Sequence, residues 1–460
     1  SREEGALIDI DTPNSPGWWF DRLFKRLVDR QAHYDRLDSY YRGTNGIPVH
    51  ANRNVTDSYR RLMSVSGANF ARLIVEATRE RMTPLGFRTG SVADELGDEV
   101  AWRIWQANSL DADHMMIDRA TLAMGAAYAI VGGFDEEIGA PLITPEDPRE
   151  VICEVDPARR RKVRAALKVF SDDVAGVDRA YVYLPGFVVR AERPTNQSRT
   201  RTENMDGWEW SGQPEALPAP VVPVVPFYNL VGINGIPEGE FEGHLPTLDR
   251  INYTILSRVE TMTMQAYRQR GIKGLPLVDA DGDEIDYDGD FLAGPGELWQ
   301  LPESAEIWES GLIDLNPILQ SEKQDITTLA GATSTPMSYL FPDDSGGSAE
   351  GAQLKRESVT FKARDRMRQQ GESYEQLMSL ALLFAGETER AARGDMEIIW
   401  ASPERYTLAE RASAASQLKD IVPATTIARD VLQYTPQEIS RMNAERLADA
   451  FIADVPANAE

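Results

Sequence analysis

The first pattern along the chain is a recurrence of apolar residues at helical spacing. From Trp19 to Tyr34 they return every three or four positions, and Gly43 ends the run. A second run of this kind covers residues 69–82. Two more helical runs follow, and the second passes into a strand at Ala127–Val131. The amino-terminal part is therefore predicted to be mainly helical.

A change to alternating apolar and polar positions predicts a β-rich region after these helices. Residues 151–170 indicate a strand, an Asp-Pro turn and a second strand, and residues 179–192 repeat this pattern around a Pro-Gly turn. The basic cluster Arg159–Lys162 falls in the first turn, and we interpret it as a charged hairpin turn rather than a nucleic-acid patch. The proline-rich stretch 217–230 cannot be a central strand throughout, so we place a unit boundary shortly after it.

Two long helices around a small insert are predicted in the second half. Apolar residues at steps of three and four form a seam from Leu248 to Ala266. After a turn-rich acidic insert, 272–311, a return helix begins near Asn316. A glycine- and serine-rich loop then leads into a long basic helix, in which Gly371 predicts a kink. This order suits a wall element that packs beside copies of itself better than it suits a catalytic pocket.

The composition is that of an acidic globular protein. A chain of 460 residues is too long for one small core, and 42% hydrophobic and 26% charged residues are ordinary proportions. No apolar run reaches the ~20 residues that cross a bilayer, and the first residues lack the pattern of a signal peptide. The formal charge of -25 repels nucleic acid at long range, but it is compatible with a protein past which DNA slides.

The sequence lacks the residues, at the required spacing, for several kinds of metal-binding or nucleotide-binding site. The four histidines lie far apart and form no zinc-binding motif, so we expect no metal site. The single cysteine, Cys153, lies in an apolar strand pattern and is interpreted as a buried structural residue in a reducing compartment. Gly346 and Gly351 have the spacing of a Walker A loop, but Ala352 and Gln353 stand where Lys and Ser or Thr are required. We therefore expect no nucleotide or other cofactor.

An acidic stretch, Asp279–Asp290, matches a calcium-binding loop only in part. A loop that starts at Asp279 has Glu284 where a glycine must turn, and one that starts at Asp286 has Phe291 there. We interpret the stretch as a solvated turn between two short strands. The alternative left open is a metal-dependent nuclease or hydrolase that uses these carboxylates with magnesium.

Five stretches together resemble the portal proteins of tailed double-stranded-DNA bacteriophages, in the branch found among siphophages of actinobacteria. They are YYRGTNGI, NFARLIVEATRERMTPLGFR, IWQANSLDADHMMIDRATLAMGAAYAIVG, PVVPFYNL and SGGSAEGAQLKRESVTFKARDRMRQQ, spread from about residue 40 to 370. Their order, with the helix–insert–helix–loop–helix plan, carries the resemblance. It implies an α+β, mainly α, portal fold whose copies assemble as a ring, commonly of twelve, at one capsid vertex.

The resemblance also implies a division of the chain into parts. These are a wing (1–243), a stem helix (244–271), a β-containing clip (272–311), a second stem helix (312–335), a tunnel loop (336–349), a long kinked helix belonging to the wing (350–386) and a helical crown (387–460). DNA would pass through the central channel during packaging and ejection. The protein would be no enzyme, without catalytic residues, cofactor or metal.

Residue roles follow from the same resemblance. The tunnel loop would present to DNA the residues Met337, Ser338, Tyr339, Leu340, Phe341, Asp343, Asp344 and Ser345. The clip would offer to docking partners Asp279, Asp281, Asp283, Asp286, Asp288 and Trp299. Four cations would pair with carboxylates of the neighbouring subunit or line the channel: Arg258, Lys355, Lys362 and Arg366. Pairing between subunits is favoured because the chain has a large excess of acid.

The expected partners are those of a portal. They are further copies of the chain, double-stranded DNA bound without sequence preference, the terminase large subunit, a head–tail adaptor, the major capsid protein and a scaffold, with no membrane. The protein would be assembled in the host cytoplasm and reside at the portal vertex of the virion. A scaffold or adaptor that never meets DNA is the other alternative left open.

Overall fold

The chain divides into two compact units. Unit 1 contains Ser1–Asn45, Asn69–Leu248 and Thr327–Glu460, and unit 2 contains Gly46–Ala68 and Asp249–Ile326. The computed structural model describes residues 8–46, 63, 65–90, 97–195, 205–266, 270–276, 278, 282, 284–285, 305–309, 311–341, 349–404 and 407–453.

The helices have the order that the apolar spacing predicts. They are α1 (Pro16–Arg42), α2 (Phe70–Arg79), α3 (Glu99–Ala107), α4 (Leu110–Met124), α5 (Leu245–Ala266), α6 (Asn316–Ala332), α7 (Met337–Leu340), α8 (Ala349–Phe384), α9 (Leu408–Leu418) and α10 (Pro436–Ala453). Local signals set their ends. The Ser15 hydroxyl accepts a hydrogen bond from the Trp18 amide at 3.1 Å, and Gly43 closes α1 in the left-handed conformation.

The strands of unit 1 form antiparallel sheets. They are β1 (Pro84–Arg88), β2 (Ala126–Asp135), β3 (Ala140–Glu146), β4 (Val151–Val155), β5 (Val163–Asp172), β6 (Val177–Leu184), β7 (Phe187–Pro194), β8 (Glu209–Trp210), β9 (Glu215–Ala216), β10 (Val224–Tyr228), β11 (Leu230–Val231), β12 (Pro237–Glu238) and β15 (Glu397–Trp400). The largest sheet has the order β4-β5-β6-β7-β8, with β9 also paired to β7, and a three-stranded sheet has the order β10-β2-β3. The proline-rich segment thus supplies an edge strand, as its missing amide donors require.

Two hydrophobic clusters hold unit 1 together. Helix α1 covers the large sheet, where Phe20 and Phe24 pack against Leu167 and Trp208. The second cluster surrounds the carboxyl-terminal half of α8, and its members include the buried pair Trp102 and Trp105. Core packing is therefore confirmed as the role of the two tryptophans, and Cys153 is confirmed as a buried residue of β4.

Helix α8 runs through Gly371 without interruption, whereas the glycine itself predicts a break. A β-carbon at this position would lie 3.1 Å from Cγ2 of Ile398 and 3.4 Å from Nε1 of Trp400, both on β15. Strand β15 in turn pairs with β1. The glycine therefore permits the strand to approach the helix closely, and residues 397–400 are part of unit 1.

Unit 2 contains most of an antiparallel helix pair. Arg250 of α5 pairs with Asp325 of α6 at 3.0 Å, Arg258 with Glu322 at 3.5 Å, and Gln265 donates to the Ile313 carbonyl at 2.8 Å. The residue numbers of the partners decrease as the residue numbers along α5 increase, so the two helices run in opposite directions. Strands β13 (Arg270–Lys273) and β14 (Glu306–Glu309) continue the pair as an antiparallel ladder. The predicted helix and return helix are confirmed. None of the helices in the described parts of the chain is long and apolar enough to span a membrane.

A buried carboxylate lies where α4 packs on α8. The Tyr374 hydroxyl donates to Oδ1 of Asp118 at 2.7 Å, and Oδ2 has no hydrogen-bond partner within the described residues. Burial raises the pKa of Asp118 to about 7, against the lowering effects of Tyr374, Arg79 and Arg119. Protonation of the Asp118 carboxyl group therefore stabilises the folded protein.

Replacement of Asp118 by Asn should increase stability at pH 8 and have little effect at pH 4. The folded pKa of about 7 exceeds the unfolded value, so wild-type stability falls as the pH rises from about 4 to 7, by up to about 4 kcal/mol. Asparagine stays neutral, and its Oδ1 can still accept from Tyr374. Urea unfolding of both proteins at the two pH values measures the difference. Asp173→Asn, at an exposed residue between β5 and β6, is the control, and an equal gain at both pH values would contradict a raised pKa.

Candidate functional site

The predicted tunnel loop begins with a short, anchored helix. Helix α7 follows Pro336, and the side chain of Leu340 is buried. Of the loop residues expected to face DNA that are described, Ser338 alone is exposed, while Met337, Tyr339 and Phe341 are half-buried. Asp343, Asp344 and Ser345 lie outside the described residues.

Tyr339 fastens α7 to the end of α2. Its hydroxyl donates to Oε2 of Glu80 at 3.1 Å and accepts from the Arg81 guanidinium at 3.3 Å. The same guanidinium lies 5.9 Å from the centre of the tyrosine ring. The first part of the loop is thus attached to the body of unit 1.

The turn between α6 and α7 is also buried. The Thr333 hydroxyl lies 2.9 Å from that of Thr335, and it donates to the Leu329 carbonyl at 2.8 Å. Ser334, between the two threonines, has a left-handed backbone with φ of 51°. These contacts satisfy the last carbonyls of α6 and fix the direction in which the chain leaves the helix.

A buried ionic cluster connects this turn with α8. Glu240 accepts from Nζ of Lys362 at 2.8 Å and from Nε of Arg366 at 2.5 Å. Lys362 also donates to the Thr333 carbonyl at 2.9 Å, and Nδ2 of Asn229 donates to Glu240 at 3.0 Å. We call these five residues the Glu240 cluster. It joins three segments that are far apart in sequence.

Burial and pairing act in opposite directions on the charges of this cluster. Burial disfavours the carboxylate, but Lys362 and Arg366 outweigh it and hold the pKa of Glu240 below its ordinary value. Burial also lowers the pKa of Lys362, although the attraction of Glu240 opposes this. The three ionic side chains are at most 8% exposed, so each depends on its partners rather than on water.

The cluster corrects the expected roles of two cations. The resemblance predicts that Lys362 and Arg366 pair with a neighbouring subunit or line the channel, whereas the structure pairs both with a carboxylate of their own chain. Arg258 likewise has an internal partner, Glu322. The side chain of Lys355 lies outside the described residues. Sequence reasoning missed Glu240, because only the fold brings it to residues more than 120 positions away.

The acidic insert is described only in part. Val278 and Glu284 form an antiparallel bridge, and Gly282 between them has φ of 92°, as in a tight turn. The expected docking residues Asp279, Asp281, Asp283, Asp286, Asp288 and Trp299 lie outside the described residues. Within the described part of the chain, no group of three possible metal ligands occurs.

Replacement of Glu240 by Gln should lower the free energy of unfolding by about 3–5 kcal/mol, because it leaves Lys362 buried without a countercharge and Arg366 with only the exposed carboxylate of Asp365. Glu238→Gln, at an exposed carboxylate two residues away, is the matched control and should change little. Urea denaturation measures both. Replacing Glu240, Lys362 and Arg366 together by Leu, Met and Met should recover most of the loss. Equal effects of the two single variants would contradict the importance of the cluster.

Comparisons with known proteins agree on one family. A family model described as "Phage portal protein, SPP1 Gp6-like" matches residues 22–450. The portal protein of Mycobacterium phage D29 is 25% identical over 427 residues, which cover 89% of this chain and 84% of that protein. The portal protein of Mycobacterium phage L5 is 24% identical over 363 residues, with coverage of 76% and 71%.

Among solved structures, a chain from the "Neck of native GTA particle computed with C12 symmetry" aligns with a TM-score of 0.42 and 11% identity, covering 80% of this chain and 88% of that chain. The family match spans most of the sequence and includes both units. The chain belongs to the SPP1 Gp6-like family of phage portal proteins.

Proposed function

We propose that copies of this chain close into a ring of about twelve at one capsid vertex, through which double-stranded DNA enters during packaging and leaves during ejection. The ring would be a structural component of the virion without catalytic activity. The terminase large subunit and then a head–tail adaptor would dock on its outer end, and the major capsid protein and scaffold would surround it. Family membership supports this proposal.

The observation that carries the proposal is the antiparallel pair α5 and α6 with apolar residues left exposed. Large exposed side chains of unit 2 include Tyr253, Met262, Met264, Leu312, Ile313 and Leu319. Such a concentration on one small unit is typical of a surface that another protein covers. Side-by-side packing of identical helix pairs would bury these residues and form a channel wall.

Two further parts receive roles under this proposal. The segment from α7 to the start of α8, with Asp343, Asp344 and Ser345, would face DNA. The ladder β13–β14 and the acidic insert would form the docking surface at the end of the helix pair. No observation within the described residues favours the nuclease alternative or the DNA-free adaptor.

The purified protein should form particles of about twelve times 51.2 kDa, with a central hole wide enough for a duplex. Native mass spectrometry and negative-stain electron microscopy measure the mass and the hole. A monomer or dimer under all conditions, including after assembly with capsid proteins, would contradict the proposal.

Substitution of Asp343 and Asp344 by Lys should leave the ring intact but reduce the DNA packaged per particle. The change adds positive charge at the proposed channel surface, where phosphates would be retained rather than released. Glu136→Lys with Glu137→Lys, on the exposed turn between β2 and β3, is the control with the same change in charge. Normal packaging by the Asp343 and Asp344 variant would exclude this segment from the DNA path.

A further inference from the structure

A small hairpin, residues 229–240, projects apolar side chains from unit 1. Its strands β11 and β12 pair Leu230 with Glu238 and Val231 with Pro237. Ile233 is fully exposed, Ile236 is largely exposed, and Leu230 and Val231 are about 40% exposed. Single exposed aliphatic residues are common on protein surfaces, but four on one short hairpin form a cluster of the kind that marks an interaction site.

The base of the hairpin is rigidly anchored. Asn229 and Glu240, its first and last residues, both belong to the Glu240 cluster, and the Asn229 amide donates to the Gly125 carbonyl at 2.9 Å. The Glu240 amide donates to the Leu122 carbonyl at 2.8 Å. Gly239 approaches the Ala123 carbonyl so closely that a β-carbon would collide with it. The hairpin is thus fixed to α4 and α8.

The tip is also internally bonded. The Gly232 amide donates to the Ile236 carbonyl at 3.0 Å, and the Gly235 amide donates to the Gly232 carbonyl at 2.8 Å. The Asn234 side chain accepts from the Ile236 amide at 3.0 Å. A partner would therefore meet a surface that is already folded, and binding would require little ordering of the chain.

The charge of the hairpin indicates what kind of surface can cover it. Residues 229–237 contain no ionisable side chain, in a chain whose net charge is -25. Copies with this charge repel one another at long range, and an apolar surface without charges is one at which they can meet without adding to that repulsion. Without a cation, this hairpin offers nothing that would attract a nucleic acid.

We infer that the 229–240 hairpin docks on a second copy of this chain and forms part of the contact between neighbouring subunits. This inference rests on the proposed ring. It adds a contact from unit 1 to the packing proposed for unit 2. Neighbouring subunits of a ring meet head to tail, so in the proposed ring the hairpin would contact a surface other than itself.

A photo-crosslinking residue at position 233 in the full-length protein tests the inference directly. The same residue at Val174, a fully exposed aliphatic position on the turn between β5 and β6, is the control. After irradiation of the assembled protein, position 233 should give covalent dimers of the chain in at least ten times the yield of position 174. Peptide mass mapping should identify a linked residue outside the hairpin itself.

The outcomes separate the hairpin contact from the ring. A ring that forms without cross-links from position 233 between copies would overturn the inference and leave the proposed function standing. Cross-links confined to the same chain, or formed only with another capsid protein, would overturn it as well. A chain that never assembles would overturn both.

A pair of substitutions gives an independent measurement. Ile233→Asp with Ile236→Asp should raise the protein concentration at which half the chains are assembled by at least tenfold, whereas Val174→Asp should leave it unchanged. Both positions lie outside the anchored base, and thermal unfolding checks that the monomer still folds. Unchanged assembly of a folded double variant would refute the contact.

Discussion

The arrangement of unit 1 depends on one buried carboxylate held between two buried cations. Glu240, Lys362 and Arg366 have left water, and each would be strongly unfavourable without the others. The third contact of Lys362, with the Thr333 carbonyl, brings the end of α6 into the same cluster. A displacement of α8 along its axis would separate these charges, so the cluster specifies one position of the helix relative to the hairpin and to the turn before α7.

Helix α8 is fixed at two places by different means. Its carboxyl-terminal half is surrounded by apolar groups, where Tyr374 packs on Trp105 and Phe227, and Gly371 admits β15. Its preceding turns are held by the Glu240 cluster. Since Tyr339 also fastens α7 to α2, the proposed DNA-facing segment starts from an anchored helix and ends in another. In a ring, this would transmit force on the segment to the body of each subunit rather than to a flexible stalk.

Local features of the fold could be predicted from the sequence, whereas pairings between distant segments could not. Caps such as Ser15 and Gly43 act within one turn, so the helices were predicted close to their observed bounds. The basic character of α8 is visible in the sequence, but Glu240, the partner of Lys362 and Arg366, is brought to them only by the fold. Gly371 predicts a kink from the sequence, which gives no sign of the close approach of β15 that the structure shows at this glycine. The portal family was recognised from the order of elements, which does not assign residues to the channel.

The internal pairing of cations also determines which charges of α8 are available to DNA. Lys362 and Arg366 are buried, Arg364 pairs with Glu404 and Asp365 pairs with Arg366, while Glu357 and Arg368 are exposed on the same stretch of α8. Affinity for a duplex without sequence preference comes from cations that neutralise phosphates. Lys362 and Arg366, which are buried, cannot supply that affinity. The same buried charges that position α8 are therefore unavailable to phosphates, which in the proposed ring would reduce the retention of DNA on this helix.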